Sequence, residues 1–380
     1  MNLLRKVFAV AVFVFASATV ADAQIKIGAV LSVTGPASFL GDPEKRTLEI
    51  YAAEINKQGG INGQKLEVVI YDDGGDPNQA RTFATRLIEE DKVDALLAGS
   101  TTATTMAIIP LAEEAKIPLI NFAGAVVAAD PKFKWNFKTP HTDLMACEKI
   151  FVDLQKRKLT KIAIISGTDA FGKSMRDQCM TVVKKYGIEV LHEETYGPRD
   201  SDMTPQLTNI KAKAGVQAVV NTGFGQGPAI VTRNYRQLGI SVPLYQSHGV
   251  GSKQYIDLAG DAANGVRLPA AALLVATILP DSDPQKKIVV AYKTKYEADT
   301  KQPVSTFGGH MYDGFMIMIE AMKRAGGAKD KAKVRDEIEK TKNFIGTGGV
   351  VNMSPTDHLG LDLTAFKMLE IKNGNWTLAE

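Results

Sequence analysis

The sequence predicts an α/β protein of two doubly wound, Rossmann-like lobes that are joined by crossover strands. Short apolar strands with little polar alternation, such as IKIGAVL (25–31) and VDALLAG (93–99), alternate with amphipathic helices. This pattern indicates parallel sheets that are covered by helices on both faces. The pattern occurs twice along the 380 residues, a length that suits about two domains.

The first lobe is expected at residues 24–138. Its predicted strands lie at 25–31, 65–72, 93–99 and 117–123. Its predicted helices lie between these strands, around 44–58, 78–91 and 103–115. Residues 134–140, KWNFKTP, are predicted to be a crossover strand that leads to the second lobe.

The second lobe is expected at residues 139–268. It begins with a helix near residue 141, and its predicted strands lie at 161–166, 188–196, 216–223 and 242–247. An extended run at 265–275 precedes helices at 284–300 and 307–325, which return the chain to the first lobe over residues 269–350. GVVNM and LTAFKMLEIKNGNWTL are predicted to form a last strand pair, so residues 351–380 return to the second lobe.

The N-terminus has the pattern of a signal peptide at residues 1–23. Arg5 and Lys6 precede an apolar run at 7–20, and Ala21–Ala23 offers a small-x-small cleavage site. An uncleaved membrane anchor is the alternative, but the run is shorter than the ~20 residues that cross a bilayer. We therefore expect cleavage near Ala23 and a periplasmic location.

Charge and histidine placement exclude two function classes. The formal net charge is only +3, and the lysines are interspersed with acids, which does not suit a nucleic-acid surface. The histidines show neither close helical pairing nor cysteine partners, so no metal or other cofactor is expected; they are His141, His192, His248, His310 and His358.

The two cysteines, Cys147 and Cys179, both lie in helix-like segments. A disulfide between them would suit an oxidising compartment. The sequence leaves this pairing open, because it does not give the distance between the two Cα atoms.

Residues 167–174, GTDAFGKS, match the phosphate-binding motif G-x-x-x-x-G-K-[ST] between a predicted strand and a predicted helix. The interior of the match opposes an ATPase, because Asp169 would repel phosphate and Phe171 is bulky. A nucleotide hydrolase also needs a Mg²⁺-binding acid at the end of a later strand, and the later strands end in VVNTG and LYQSH. We therefore expect a coincidental match.

The STTATT run at 100–105 allows three interpretations. A hydrolase nucleophile at Ser100 lacks the G-x-S-x-G motif and a histidine partner. Ser100 or Thr101 could instead cap the following helix. We favour carboxylate binding at the helix N-terminus by Ser100, Thr101 and Thr102, because ligands of open α/β sheets bind beyond the carboxyl ends of the strands. His248 ends a strand on that side and is placed to donate to a ligand acid.

The stretches NKQGGINGQKLEVVIYDDGGDPNQA and LIEEDKVDALLAGSTTATTMAIIPLAEEAKIPLI resemble the type I periplasmic binding proteins of the leucine/isoleucine/valine-binding family. The resemblance runs from Ile25 to the C-terminus and implies a solute-binding protein of an ABC importer, not an enzyme. It implies hinge closure over a ligand, delivery to permease subunits in the inner membrane, and a monomer. A sensor module of the same fold is the alternative.

The resemblance also implies site residues. In this family the Ser/Thr loop and the N–H groups of the next strand end, here Ala123 and Gly124, hold the ligand carboxylate. An Asp-x-aromatic-Gly loop is matched by Asp169 and Phe171, and Phe224 stands in a matching loop. The acid that pairs with an amino-acid ammonium is missing, since SHGVG replaces it.

A closer resemblance is to the branch that binds aromatic acids such as benzoate, aryl 2-oxo acids and hydroxycinnamates. It is carried by QSHGV, LPDSDPQKK, VSTFGGHMYD and NMSPTDHLGLD. Phe39 is placed to stack on the aromatic ring. We therefore expect an aromatic carboxylate ligand, with a branched-chain amino acid as the alternative.

Overall fold

The computed structural model describes residues 24–379 and contains two sheets with helices packed on them, together with one short strand pair. The strands are β1 (Ile25–Leu31), β2 (Leu66–Asp72), β3 (Ala95–Ala98), β4 (Leu119–Asn121), β5 (Asn136–Lys138), β6 (Lys161–Gly167), β7 (Glu189–Tyr196), β8 (Ala218–Thr222), β9 (Leu244–Gln246), β10 (Arg267–Ala271), β11 (Phe344–Ile345), β12 (Val350–Val351), β13 (Phe366–Lys372) and β14 (Asn375–Leu378). The helices are α1 (Ser38–Lys57), α2 (Pro77–Glu89), α3 (Thr102–Ala115), α4 (Asp143–Lys156), α5 (Ala170–Val182), α6 (Thr204–Ala212), α7 (Gly227–Gln237), α8 (Lys253–Ala259), α9 (Lys286–Thr300), α10 (Thr306–Ala325) and α11 (Lys331–Glu339).

The first lobe is built on a five-stranded parallel sheet with the order β2-β1-β3-β4-β5. Strands β1, β3, β4 and β5 are almost wholly buried, as the apolar runs predict, because helices cover both faces, whereas the edge strand β2 is half-buried. Helix α10 packs along α1 and contributes Met311, Phe315 and Met322 to the core beneath this sheet. The late helices therefore belong to the lobe that the N-terminal strands begin.

The second lobe is built on a seven-stranded sheet with the order β14-β13-β10-β9-β8-β6-β7. Strands β6 to β10 pair in parallel, and β13 and β14 add an antiparallel edge. The chain crosses between the lobes after β5, after β10 and before β13. The prediction of two doubly wound α/β lobes is confirmed.

The prediction that GVVNM pairs with the C-terminal segment LTAFKMLEIKNGNWTL is wrong. Val350–Val351 of GVVNM pairs with Phe344–Ile345, and the following segment folds back on itself as the β13–β14 hairpin. The turn of this hairpin contains Asn373 and Gly374, whose φ angles are 51° and 70°. An Asn-Gly pair with positive φ at both positions is the preferred two-residue hairpin turn, so this dipeptide carried the missed signal.

Helix α1 begins at Ser38, earlier than the predicted 44, although it contains Gly41 and Pro43. Gly41 fits there because a Cβ atom at this position would stand only 2.2 Å from the Ser32 carbonyl carbon. The absent side chain lets the first turns of α1 pack against the end of β1. A glycine that looks like a helix breaker therefore marks a close backbone contact.

Cys147 on α4 and Cys179 on α5 form a disulfide, with their Cα atoms 5.1 Å apart. The pairing that the sequence leaves open is therefore present. The predicted signal peptide at residues 1–23 lies outside the described residues. From residue 24 to residue 379, no helix combines the length and the apolar character needed to cross a bilayer.

Candidate functional site

A cavity lies between the two lobes, beyond the carboxyl ends of β3 and β4 of the first sheet and of β6, β8 and β9 of the second. This is the position that open α/β sheets use for ligands. Its lining residues are Leu40, Ser100, Thr101, Thr102, Phe122, Gly124, Pro140, Phe171, Phe224, His248, Gly249, Phe307 and His310. Seven of the ten predicted site residues are among them.

The N-terminus of α3 forms one wall of the cavity. Thr101 caps this helix, since its Oγ1 accepts from the Thr104 N–H at 3.1 Å and Thr104 Oγ1 accepts from the Thr101 N–H in return. Thr102 is 6% exposed, and its hydroxyl has no hydrogen-bond partner among residues 24–379. A free hydroxyl at the positive end of a 14-residue helix suits an anionic group.

The Ser100 hydroxyl is bonded within the first lobe. Its Oγ accepts from the Ser32 N–H at 3.0 Å and donates to Glu44 Oε2 at 2.5 Å. The Ser100 hydroxyl therefore has a partner on each side, and no histidine contacts it in the described chain. Thr101 and Ser100 thus hold the loop in place, and Thr102 carries the free side-chain donor.

Glu44 is an acid that the fold keeps away from water. Burial, which outweighs the hydrogen bond from Ser100, raises its pKa well above the usual value, and the nearby Asp73 carboxyl raises it further. Ser32 Oγ donates to Asp73 Oδ1 at 2.7 Å, so the two acids belong to one buried polar network at the ends of β1, β2 and β3. Any charge on Glu44 is therefore destabilising.

We expect Glu44→Gln to stabilise the folded protein by about 1–2 kcal/mol at pH 7. A carboxyl whose pKa is raised by folding contributes stability below its unfolded pKa and loses it as the pH rises toward the folded pKa. The gain from glutamine should therefore be near zero at pH 4 and grow toward neutral pH. Urea unfolding of both proteins at a series of pH values measures the difference.

Glu49→Gln on the same helix is the matched control, because Glu49 is half exposed and pairs with Lys45 on the surface. It should change the free energy of unfolding by less than about 0.5 kcal/mol at every pH. A Glu44→Gln protein whose stability difference from the wild type does not vary with pH would show that Glu44 is not held neutral.

Aromatic side chains from the second lobe form the opposite wall. Phe171, in the first turn of α5, lies edge-on to Phe224 with ring centroids 5.8 Å apart and to His248 at 5.3 Å. Phe171 and His248 pack against Gly124 of the first lobe. A Cβ atom on Gly124 would lie 2.5 Å from Phe171 Cε2 and 3.1 Å from His248 Nε2. The two lobes therefore meet at a position that only glycine fits.

Three predicted site residues do not line the cavity. Asp169 lines a wider opening that adjoins the cavity and caps α5, its Oδ1 accepting from the Phe171 and Gly172 N–H groups. Phe39 packs on Phe224 and Phe307, with centroids 6.0 and 5.5 Å away. Ala123 lies behind the wall, and its N–H donates to the side chain of Asn121.

The structure also explains why GTDAFGKS does not form a phosphate loop. In a phosphate loop the backbone N–H groups before and at the start of the helix point at the anion. Here the Asp169 carboxylate occupies two of these groups, and the Ser174 hydroxyl donates to Asp143 instead. The anion site at this helix N-terminus is thus filled by the side chain of Asp169.

Sequence reasoning missed six lining residues: Leu40, Phe122, Pro140, Gly249, Phe307 and His310. Phe307 and His310 lie in the first turns of α10, which Ser305 caps by accepting from the Gly308 N–H. The Ser305 cap was a usable signal, because it places a helix N-terminus, and the residues just after it, at a definite position. Nothing in the local pattern shows that this helix end reaches the cavity.

The cavity wall carries no carboxylate. Its two titratable residues, His248 and His310, are almost fully buried. Both ring nitrogens of His248 and Nδ1 of His310 have no hydrogen-bond partner among residues 24–379. The same residues contain no cluster of metal-ligand side chains. Burial lowers the pKa of both histidines well below the usual value. Each neutral imidazole offers one donor and one acceptor. The site thus combines apolar walls with unused donors.

Comparisons with known proteins agree over nearly the whole chain. A family model described as periplasmic binding protein matches residues 24–375. The chain is 28% identical to the leucine-, isoleucine-, valine-, threonine- and alanine-binding protein of Pseudomonas aeruginosa, over all of this chain and 95% of that protein. It is 26% identical to Leu/Ile/Val-binding protein homolog 3 of Brucella melitensis, over 94% of each.

Solved structures show the same architecture. An extracellular ligand-binding receptor from Rhodopseudomonas palustris superposes with a TM-score of 0.87 at 29% identity, over 94% of this chain and 100% of that one. A branched-chain amino acid transporter substrate-binding protein of Streptococcus pneumoniae, in complex with isoleucine, gives 0.82 at 23% identity over 94% and 99%. The second likeness concerns the fold alone.

Proposed function

The chain belongs to the periplasmic binding protein family, and from this premise we propose that it captures an aromatic carboxylate in the periplasm and delivers it to the permease of an ABC importer. The ligand class includes benzoate, aryl 2-oxo acids and hydroxycinnamates. The observation that carries the proposal is the composition of the cavity wall. Thr102 and the α3 N-terminus offer donors to an anion, and phenylalanines surround the rest.

The absence of a carboxylate from this wall argues against an amino-acid ligand. An α-ammonium enclosed here would have no ion-pair partner among the lining residues, and an unpaired buried charge is strongly unfavourable. His248 and His310 supply neutral rings in the wall instead. Ala125, unlike a serine or threonine, adds no hydroxyl beyond Gly124. An anion with an apolar planar body matches these groups better than a zwitterion.

Branched-chain amino acids are the second candidate. The names of the relatives support them, since the Pseudomonas aeruginosa protein and the Brucella melitensis homolog are both named for leucine, isoleucine and valine. The apolar wall formed by Leu40, Phe122 and Phe171 would also accept an aliphatic side chain. The two candidates differ in the ammonium group and in the shape of the apolar part.

We propose hinge closure as the binding mechanism, with Phe171, Phe224 and His248 moving as one wall with the second lobe. The connections after β5, after β10 and before β13 would absorb the rotation. The closed form would be the one that the permease recognises, with ATP hydrolysed by other subunits. A role as a ligand sensor would use the same closure.

Two pairs of ligands test the proposal, because the members of each pair differ only in the α-ammonium: 3-phenylpropanoate with L-phenylalanine, and 4-methylpentanoate with L-leucine. We expect 3-phenylpropanoate to raise the melting temperature most. A ligand at a hundred times its dissociation constant adds about 2.7 kcal/mol of stability, which is a shift of several degrees. The measurement is a thermal-shift assay on the protein without residues 1–23.

The outcomes separate the candidates. Stabilisation by both carboxylates but by neither amino acid supports recognition of the anion without an ammonium. Stabilisation by L-leucine and not by 4-methylpentanoate would replace the aromatic acid with a branched-chain amino acid. Hydroxylated and 2-oxo analogues of the best ligand then define the class further.

A further inference from the structure

A group of buried basic side chains, which we call the base cluster, lies behind the cavity and reaches into its wall. Its members are Lys138 at the end of β5, His141 in the connection that follows, His248 and His310. Their exposed fractions are 0%, 1%, 8% and 4%. His248 and His310 line the cavity, and His141 stacks on Phe366 and lies 5.6 Å from His310 between ring centroids.

Lys138 is the unusual member, because lysine is almost never fully buried without a charged partner. Its Nζ donates to the Ala123 carbonyl, which directly precedes Gly124 of the cavity wall. In the described chain no carboxylate oxygen lies within 4.0 Å of this nitrogen. The positive charge of Lys138 also acts on His141, His248 and His310, so the four side chains are electrostatically coupled.

Two buried carboxyls face the base cluster, and neither supplies a firm counter-charge. Asp143, at the start of α4, accepts from the Ser174 hydroxyl and the Val126 and Leu144 N–H groups. Asp313 of α10 accepts from the N–H groups of Thr347 and Gly348. Burial raises the pKa of both carboxyls, that of Asp313 to about 7. Lys149, half-buried on α4, adds a positive charge near His141.

We propose that Lys138, with His141, His248 and His310, is the counter-charge for the carboxylate of the ligand, and that binding of this anion carries a proton into the base cluster. The inference rests on the proposed function, since it requires an anionic ligand. An anion that binds in this largely apolar cavity favours the protonated form of every titratable group around it. The direction of this linkage is therefore the same whichever cluster member takes the proton.

Among the four side chains of the base cluster, Lys138 is the one that titrates in an accessible range. Burial lowers its pKa to about 7, with Asp143 opposing the shift. The free protein at pH 8 therefore holds Lys138 largely neutral, whereas the complex holds it charged. Affinity is constant below pH 7 and falls as the pH rises, by about tenfold between pH 7 and 8.5.

Calorimetry measures the proton directly. Titration of 3-phenylpropanoate at pH 8 in buffers of different ionisation enthalpy should show uptake of about one half to one proton. Heats that do not depend on the buffer overturn the inference, and the proposed function then stands unchanged. If L-leucine is the only ligand, the proposed function is wrong, and the same measurement with L-leucine decides whether the base cluster serves its carboxylate.

Two substitutions test whether Lys138 is the group that takes up the proton. Lys138→Arg keeps the charge but removes the titration, because arginine stays protonated at every accessible pH. Its affinity should be unchanged between pH 6.5 and 8.5, with no proton uptake. Lys138→Met should also lose the uptake and bind about tenfold more weakly at pH 7. Lys372→Met, at an exposed position of the β13–β14 hairpin, is the control and should behave as wild type.

Proton uptake that persists in Lys138→Arg would overturn the assignment to Lys138. The arginine is larger than the lysine it replaces, so the melting temperature of each variant without ligand is recorded first. If neither variant folds, the wild-type buffer series alone still confirms or overturns the linkage.

Discussion

Gly124→Ala is expected to weaken ligand binding roughly ten- to a hundredfold, because the added methyl group stands where Phe171 and His248 close on the first lobe. It would lie 2.5 Å from Phe171 Cε2 and 3.1 Å from His248 Nε2. Overpacking of this kind costs about 1–3 kcal/mol, and each 1.4 kcal/mol is a factor of ten in affinity. Calorimetric titration with the best ligand from the thermal-shift assay measures the loss.

The Gly124→Ala protein should fold as the wild type does. Gly124 has no positive φ, and the lobes can relieve the clash by staying apart, so the melting temperature without ligand should change by less than about 2 °C. Gly197→Ala is the control, since the nearest atom to its added carbon is Asp200 Oδ1 at 3.4 Å. Wild-type affinity in Gly124→Ala would mean that the ligand-bound lobes do not meet at this point.

Removal of the Cys147–Cys179 disulfide is expected to lower the free energy of unfolding by about 3–4 kcal/mol. The bridge closes a loop of 32 residues, and the chain-entropy model assigns this loss to the denatured state. Both half-cystines are fully buried between α4 and α5, so Cys147→Ala with Cys179→Ala is the appropriate double variant. Urea unfolding of the oxidised wild type and of the variant gives the difference.

The wild type treated with a reductant is the control for the disulfide, because it keeps both sulfur atoms in the core. It should unfold at a denaturant concentration close to that of the double variant. A loss below about 1 kcal/mol in both proteins would show that the α4–α5 packing alone holds this region. The base cluster and the cavity are not altered by the change, so ligand affinity at 25 °C should stay within about threefold.

Strand and helix periodicity was enough to predict the fold, because the inner strands of both sheets, such as β1, β3, β6 and β8, are buried on two faces and are nearly continuous apolar runs. The same periodicity, with the rule that ligands bind beyond the strand ends, selected the loops of Thr102 and His248, and the family resemblance added Gly124 and Phe171; all four line one cavity. These residues follow strands directly, so their position depends only on the order of elements.

The remaining site residues depend on packing that no local pattern encodes. Glu44 lies 56 residues from its partner Ser100 and is one polar position on an amphipathic helix. Lys138 ends a short strand, where a lysine normally indicates exposure, yet it is fully buried. His310 enters the wall through the approach of α10 to the cavity. Such residues become visible only when distant segments are placed together.

The three crossings between the lobes have a consequence for the order of folding during synthesis. The first sheet is complete at residue 138, but its core needs Phe315 and Ile338 from late helices. The second sheet leaves β10 with an open edge until residues 366–372 are available to pair with it. Neither lobe can therefore complete its core before nearly the whole chain has been made.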